Sequence, residues 1–351
     1  MNWHDFELMA RGGTLALLAL WTWLLWRDHR DMLAARTAIA MNLGIASYVF
    51  VTSGWTERQD LPGLILPLLA RSTPALFWLF AKTWFNDRTR LSRVDLILIA
   101  AAMINALVMH FSFDTKGTAF VASGVVFRIS MLAFGIAGLW EAWRGRADDL
   151  VEARRRVRLG VVGAVGLYVL VIGLAEMAVY QADAPNGVIG MIGASTAIIT
   201  LALSAAMFAS RKADLYGAPV VAAGTSAPRS MGNSPLAARL LALMAAEKPH
   251  RDERLTIAAL AQLLGEQEYR LRRLINGSLG HRNFAQFLNG YRLAEIKAAL
   301  ADPAQRDVPI LTIALDAGFG SLGPFNRAFR EAEAITPSEF RSRALADSGI
   351  G

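Results

Sequence analysis

Two short stretches near the C-terminal end carry side chains able to read the edge of a nucleobase. One presents Tyr269, Arg270, Arg272 and Arg273, and the other presents Gly323, Asn326, Arg327 and Arg330. Arginine can give two parallel hydrogen bonds to guanine O6 and N7, and asparagine can bridge adenine N6 and N7. Taken singly, any of these arginines reads equally well as a solvated surface charge. Position within the pattern described below favours base contact for Arg272, Arg273, Asn326 and Arg327.

A second group of polar side chains lies inside long apolar stretches. Arg71 and Arg128 fall at similar depth within theirs, and Glu176 lies nearer the end of another. Ionisable groups in such places are costly and ordinarily face a bundle interior or a cavity. Arg71, Arg128 and Glu176 are therefore a candidate pocket for an unidentified anionic or lipid-like ligand. The plainer alternative pairs Glu176 with one arginine and leaves Asn42 and Asn105 to join helices.

Other chemistry is excluded. The chain has no Cys, and its five His are scattered without an i, i+4 pair, so neither disulfides nor a metal site is expected. A serine-nucleophile motif, an HExxH motif and paired intramembrane carboxylates are all missing, so no enzyme and no cofactor is expected.

Composition identifies the elements that must hold these groups. Apolar residues make up 54% of 351 residues and charged residues 19%. Seven stretches, about 8–26, 34–54, 61–85, 94–113, 117–143, 157–182 and 187–208, each approach the roughly 20 apolar residues that cross a bilayer. Asp5 and Glu7 precede the first stretch and Arg27 and Arg30 follow it, which is not the charge order of a cleaved signal peptide. Odd-numbered loops hold thirteen Lys or Arg, including the cluster from Arg144 to Arg158, against two in the even-numbered loops. Positive charge marks the cytoplasmic side, so the N-terminus is expected outside and everything beyond Lys212 in the cytoplasm. Trp26, Trp84, Trp140 and Trp143 fall at inner ends of spans, where an amphipathic ring prefers the interface.

Residues 213–235 are rich in Gly, Pro and Ser and read as a flexible linker. From 236 to 345 the periodicity is helical and soluble, with two helix-turn-helix patterns at about 255–277 and 309–331. Thr256 can cap a helix that Gly265 closes, and a second helix, about Glu268–Asn276, turns Leu271, Leu274 and Ile275 inward. A long helix, Phe284–Leu300, follows with Phe284, Leu288, Tyr291 and Leu293 or Ala294 as its expected buried stripe, and Pro303 ends it. The pattern then repeats: Ile310–Ala317 is stopped by Gly318, Ser321 is an expected cap, and Phe325 and Phe329 pack inward. Thr336-Pro-Ser-Glu339 has the form of a capping box. The fold expected is all-α: a seven-helix transmembrane bundle followed by a soluble double helix-turn-helix domain.

The stretch Ile313-Ala-Leu-Asp-Ala-Gly-Phe-Gly-Ser-Leu-Gly-Pro-Phe-Asn-Arg-Ala-Phe-Arg-Glu-Ala, with Ile335-Thr-Pro-Ser-Glu-Phe-Arg341 after it, resembles the C-terminal signature of AraC/XylS-type transcription regulators. Leu255–Leu300 matches the first half of that domain more loosely. The resemblance covers about 110 residues. It implies two recognition helices entering the major groove of double-stranded DNA, with Tyr269, Arg272 and Arg273 on the first and Gly323, Asn326 and Arg327 on the second. A linking helix of about 17 residues would be about 25 Å long, comparable to the roughly 34 Å between successive major-groove faces. RNA polymerase and a homodimer partner are further implied, as is a bacterial inner membrane. Three departures stand out. Gln267 replaces a usual Ser cap, Ala334 replaces a usual Gly, and membrane helices replace the sensory β-barrel. Residues 236–345 hold fifteen Lys or Arg and twelve Asp or Glu, so nonspecific affinity should be modest and base contacts or a second protomer must supply specificity. The expected function is a one-component sensor that couples an envelope or lipid-borne signal to promoter binding. The alternatives are a bundle serving only as a tether or partner platform, or a transporter with a regulatory tail.

Overall fold

The computed structural model describes residues 3–53, 60–86, 90–145, 148–150, 195, 198–200 and 235–347. They fall into two compact units. The first is built on the helices up to Arg144, and the second on residues 148–150 together with 235–347. The described residues are almost wholly helical, with a single isolated β-bridge and no strand among them.

The first unit contains α1 (Trp3–His29), α2 (Leu33–Val51), α3 (Leu61–Phe85), α4 (Arg93–Phe111) and α5 (Thr118–Arg144). All five are long and apolar enough to cross a membrane. They coincide with the first five expected stretches; 157–182 and 187–208 lie outside the described residues save for 195 and 198–200, which are helical. The linker up to residue 234 lies outside them as well. Local chemistry sets the helix starts: Pro62 sits in the first turn of α3, and Ser92 and Asp95 form a reciprocal capping box on α4.

Helix α3 is the centre of this unit, packing against α2, α4 and α5, while α1 packs against α2. Small residues and interhelical hydrogen bonds join these helices, which is how helices associate where the surroundings are as apolar as their own side chains. Gly44 lets α2 approach α3 so closely that a Cβ there would lie 2.5 Å from Thr73 Oγ1. Gly138 does the same for α5, where a Cβ would lie 2.5 Å from the Phe77 ring. Thr37 and Thr83 share a hydroxyl hydrogen bond of 2.8 Å, and Asn105 Nδ2 donates to Ser123 O at 3.1 Å. Asn42 Nδ2 donates to Thr22 at 3.3 Å, so both asparagines join helices.

The second unit contains α6 (Pro235–Ala246), a 3-10 turn at Pro249–Arg251, α7 (Ile257–Leu263), α8 (Glu268–Gly277), α9 (Phe284–Ala301), a 3-10 turn at Pro303–Gln305, α10 (Ile310–Asp316), α11 (Leu322–Glu333) and α12 (Pro337–Asp347). It has two apolar cores. Leu240 and Met244 of α6, Leu260, Leu271, Ile275, Phe284, Phe287 and Leu288 build the first. Leu293, Ile296, Leu300, Ile313, Phe319, Phe325 and Phe329 build the second. Helix α9 gives its first half to one core and its second half to the other. Of the expected stripe, Phe284, Leu288 and Leu293 are buried and Tyr291 packs half-buried against the first core, while Ala294 is exposed; Phe287, Arg292 and Ile296 are buried as well.

Candidate nucleic-acid interface

Two short helix pairs, α7–α8 and α10–α11, are built by the same local devices. Thr256 Oγ1 accepts from Ala259 N at 3.1 Å and starts α7. Gly265 closes it at φ +62, with Glu266 N returning to Ala261 O at 2.9 Å. In the second pair Gly318 has φ +99, and Phe319 N returns to Ala314 O at 3.0 Å. This is the left-handed closure that satisfies the last carbonyls of a helix while turning the chain sharply. Ser321 stands at the N-cap of α11 but makes no side-chain hydrogen bond to it. Thr336 and Glu339 form the expected reciprocal box at the start of α12, with Thr336 N donating to Glu339 Oε2 at 2.7 Å.

The second helix of each pair buries one apolar stripe and leaves the opposite face outward. On α8, Tyr269 is 63% exposed and Arg273 is exposed. On α11, Gly323 and Arg327 are exposed and Asn326 is half-buried, beside the fully buried Phe325. The Arg327 guanidinium lies back along the helix, 3.7 Å from where a Cβ on Gly323 would be. A side chain at 323 would therefore meet Arg327 at ordinary contact distance. Arg270 is drawn aside into an ion pair with Glu266 at 3.3 Å.

Arg272 is placed differently from its neighbours. It is 8% exposed, with Nε on Glu268 Oε1 at 2.7 Å and Nη1 on the backbone carbonyl of Asp149 at 2.7 Å. In this arrangement its donors are spent inside the protein and none is offered to a base. The segment that holds it was assigned by sequence to the loop after the fifth span; it packs instead with the second unit.

Between the two helix pairs lies a polar junction centred on the buried Arg292. Arg292, 8% exposed in the middle of α9, donates from Nε to His250 O at 2.7 Å and from Nη2 to Asp252 O at 2.9 Å. Its guanidinium also lies 5.6 Å from the centre of the Phe319 ring in the turn of the second pair. One turn further along α9, Glu295 accepts from His250 Nε2 at 3.0 Å, from Lys248 at 3.3 Å and from Arg251. The Arg251 hydrogen bond, helped by His250 and Lys248, holds the Glu295 carboxyl down at about 2. Burial pushes the His250 imidazole below its ordinary range despite the pull of Glu295. Gly318 and Gly320 close on the same segment: a Cβ on Gly318 would lie 2.4 Å from His250 O, and one on Gly320 2.6 Å from Glu253 Oε2. Sequence reading missed Arg292, His250 and Glu295. The available signal was an arginine lying between the two halves of an otherwise apolar helix face.

In the first unit, Arg71 and Arg128 are half-buried on α3 and α5, two helices that pack together. Glu176 lies outside the described residues. Two ion pairs that sequence reading did not single out are present. Arg11, 4% exposed, pairs with Glu7 at 2.8 Å and donates to Val49 O at 2.7 Å and Thr52 Oγ1 at 2.8 Å, tying α1 to the end of α2. Lys82 pairs with Asp95 at 2.5 Å beneath the Trp78 ring, tying α3 to α4. Among the described residues no group of His, Cys, Asp or Glu could hold a metal ion.

Residues 260–343 match the family model for a helix-turn-helix domain, of the AraC type. The match spans α7 to α12 from within its first helix pair. Comparison with curated proteins and with solved structures gives no match.

Proposed function

We propose that the protein is a membrane-bound, sequence-specific DNA-binding transcription regulator, with α8 and α11 as its recognition helices. The observation that carries this reading is the repeated α7–α8 and α10–α11 pair, each with polar groups outward, with the Arg292 junction between them. Two such helices in one domain are what contact with successive faces of the major groove would call for. The match of residues 260–343 supports it. Tyr269 and Arg273 on α8, and Gly323, Asn326 and Arg327 on α11, are the proposed contact set, with Arg272 held in reserve. The five apolar helices, with the charge asymmetry of their loops, support a bacterial inner-membrane location with residues 236–345 on the cytoplasmic side. RNA polymerase and a second protomer are the proposed partners.

Genome-wide occupancy of the full-length protein tests this reading. Discrete sites should appear, and Arg327→Ala should weaken binding at them by about 1–3 kcal/mol while relaxing preference at one base pair. If no discrete sites are occupied, the reading is wrong. For the membrane helices we propose an input role through Arg71, Arg128 and Glu176, taking an anionic or lipid-like ligand. Normal transcriptional responses from Arg71→Met and Arg128→Met at normal abundance would leave the bundle as a tether.

A further inference from the structure

The first helix pair is completed by a segment that is remote in sequence. Asp148–Leu150 begins four residues after the end of α5, yet it is built into the second unit. Leu150 N donates to Arg282 O at 3.1 Å and Phe284 N donates to Asp148 O at 2.8 Å, flanking the antiparallel bridge between Asp149 and Asn283. The second of these bonds satisfies a donor at the N-terminus of α9 that has no partner within its own helix. Leu150, 3% exposed, enters the core beside α7 and α8. The Asp149 carbonyl takes Nη1 of Arg272 at 2.7 Å.

We propose that Asp148–Leu150 is an intramolecular latch whose docking site is the groove between α8 and the start of α9, and that docking keeps Arg272 off DNA. Three features support a reversible contact over a permanent part of the fold. The latch contributes one apolar side chain, Leu150, to a core otherwise built by residues of α6 to α9 and the turn after α7. It holds α8 through a backbone carbonyl, and the buried Asp149 side chain belongs to the latch and leaves with it on release. Arg272 lies one turn from Glu268 and beside exposed Arg273, so a freed guanidinium has only to rotate outward to join Tyr269 and Arg273. Because the latch is covalently continuous with α5, a ligand-driven change in that helix has a direct mechanical route to the recognition helix. The inference rests on the DNA-binding reading above.

The bridge supplies its own test. The flanking hydrogen bonds make Asp149 and Asn283 a non-hydrogen-bonded antiparallel pair, whose Cα atoms are typically about 4.5 Å apart and within disulfide range. The chain has no cysteine, so a D149C/N283C pair is the only thiol pair present. Full-length protein carrying it, in nanodiscs, should crosslink on mild oxidation. The oxidised form should bind a promoter fragment recovered by occupancy mapping about tenfold more weakly than the reduced form, the size of one good base contact. Adding Arg272→Ala should abolish that redox difference. Leu150→Asp, which undocks the latch without changing its docking site, should bind at least as tightly as the reduced pair. Equal binding by oxidised and reduced forms overturns the proposal. So does a redox difference that survives Arg272→Ala, or a Leu150→Asp protein that loses both binding and amide protection in α8, since the segment would then be a structural part. If no form binds specific DNA, the functional reading falls and the latch with it, while the crosslinking yield still reports docking.

Discussion

Replacing Gly318 by alanine should separate the two helix pairs, whereas the same change at Gly265 should not. Both glycines close the first helix of their pair with positive φ, +62 at Gly265 and +99 at Gly318. An L-residue in the left-handed region costs about 1–2 kcal/mol, so that much is common to both variants. The surroundings differ. Nothing lies within 4 Å of a Cβ on Gly265, but one on Gly318 would meet His250 O at 2.4 Å, Arg251 O at 2.7 Å and Arg251 C at 2.8 Å. All three are backbone atoms of the segment that Arg292 grips, so no side chain can rotate away. Ordinary contact begins near 3.4 Å, and the turn must retreat by about 1 Å. Overpacking of that kind costs about 1–3 kcal/mol beyond the strain. The total, about 2–5 kcal/mol, is a large share of the roughly 5–15 kcal/mol that holds a domain together, so the cheapest response is for the junction to open. Hydrogen exchange on full-length protein in nanodiscs would read this directly. Gly318→Ala should lose protection in α10 and in residues 249–252, while Gly265→Ala should show a smaller loss confined to α7 and α8. Equal losses at the two sites would mean that the junction does not set the spacing of the pairs.

Other perturbations have opposite signs or act elsewhere. Ala334 closes α11 at φ +60, where glycine has no penalty, so Ala334→Gly should stabilise the second helix pair by about 1 kcal/mol, measurable as a rise in its thermal midpoint. The junction should weaken in acid. His250 has a lowered folded-state pKa, so its contribution fades as pH falls below its ordinary 6.5. Glu295 is held at about 2, so its contribution is complete above its ordinary 4.5 and is lost between there and about 2. Glu295→Gln should remove the lower of these two steps from a pH titration of stability and leave the upper. In the apolar helices of the first unit, Lys82→Met should strand Asp95, which is 1% exposed, and cost about 3–5 kcal/mol, seen as reduced resistance to denaturing detergent. Lys82→Met combined with Asp95→Leu should recover most of that loss; if the double variant is no better than the single one, the ion pair is not the reason.

The helices of the second unit were legible because each end carries a local chemical cause. Thr256, Gly265, Pro303, Gly318 and the Thr336–Glu339 box act within a few residues of themselves, and all stand where periodicity placed them. Ser321 and Ala294 on α9 show where local reasoning stopped. A single stripe serves one core, and the chain builds two. Arg272 is the sharper example. It follows Leu271 and lies between the inward residues Leu271 and Ile275, so it sits at the edge of the buried face of α8. A long, charged side chain at that edge can turn either way. The choice is made by a carbonyl 123 residues earlier in the chain, which no local pattern announces. Arg292 was hidden for a similar reason: an arginine on a helix ordinarily faces water, and only the carbonyls of His250 and Asp252 make its burial tolerable.

The small charge surplus of the DNA-binding region gives a single arginine unusual leverage. Fifteen basic against twelve acidic residues between 236 and 345 leave little phosphate attraction to hold the protein on arbitrary sequence. Occupancy must then come from a few base contacts, each worth about tenfold in affinity. Helix α11 presents Asn326 and Arg327 with no engagement comparable to that of Arg272, so on the proposed reading the two helix pairs would meet the groove unequally equipped. A promoter half-occupied with Arg272 outward would fall to about 9% occupancy with Arg272 bound to Asp149, by the arithmetic of a tenfold weaker site. A strongly basic domain would dilute that difference in nonspecific attraction, and a nearly balanced one preserves it. With Arg272 released as proposed, near-neutral charge would keep the protein close to the threshold of binding, where moving one side chain decides the outcome.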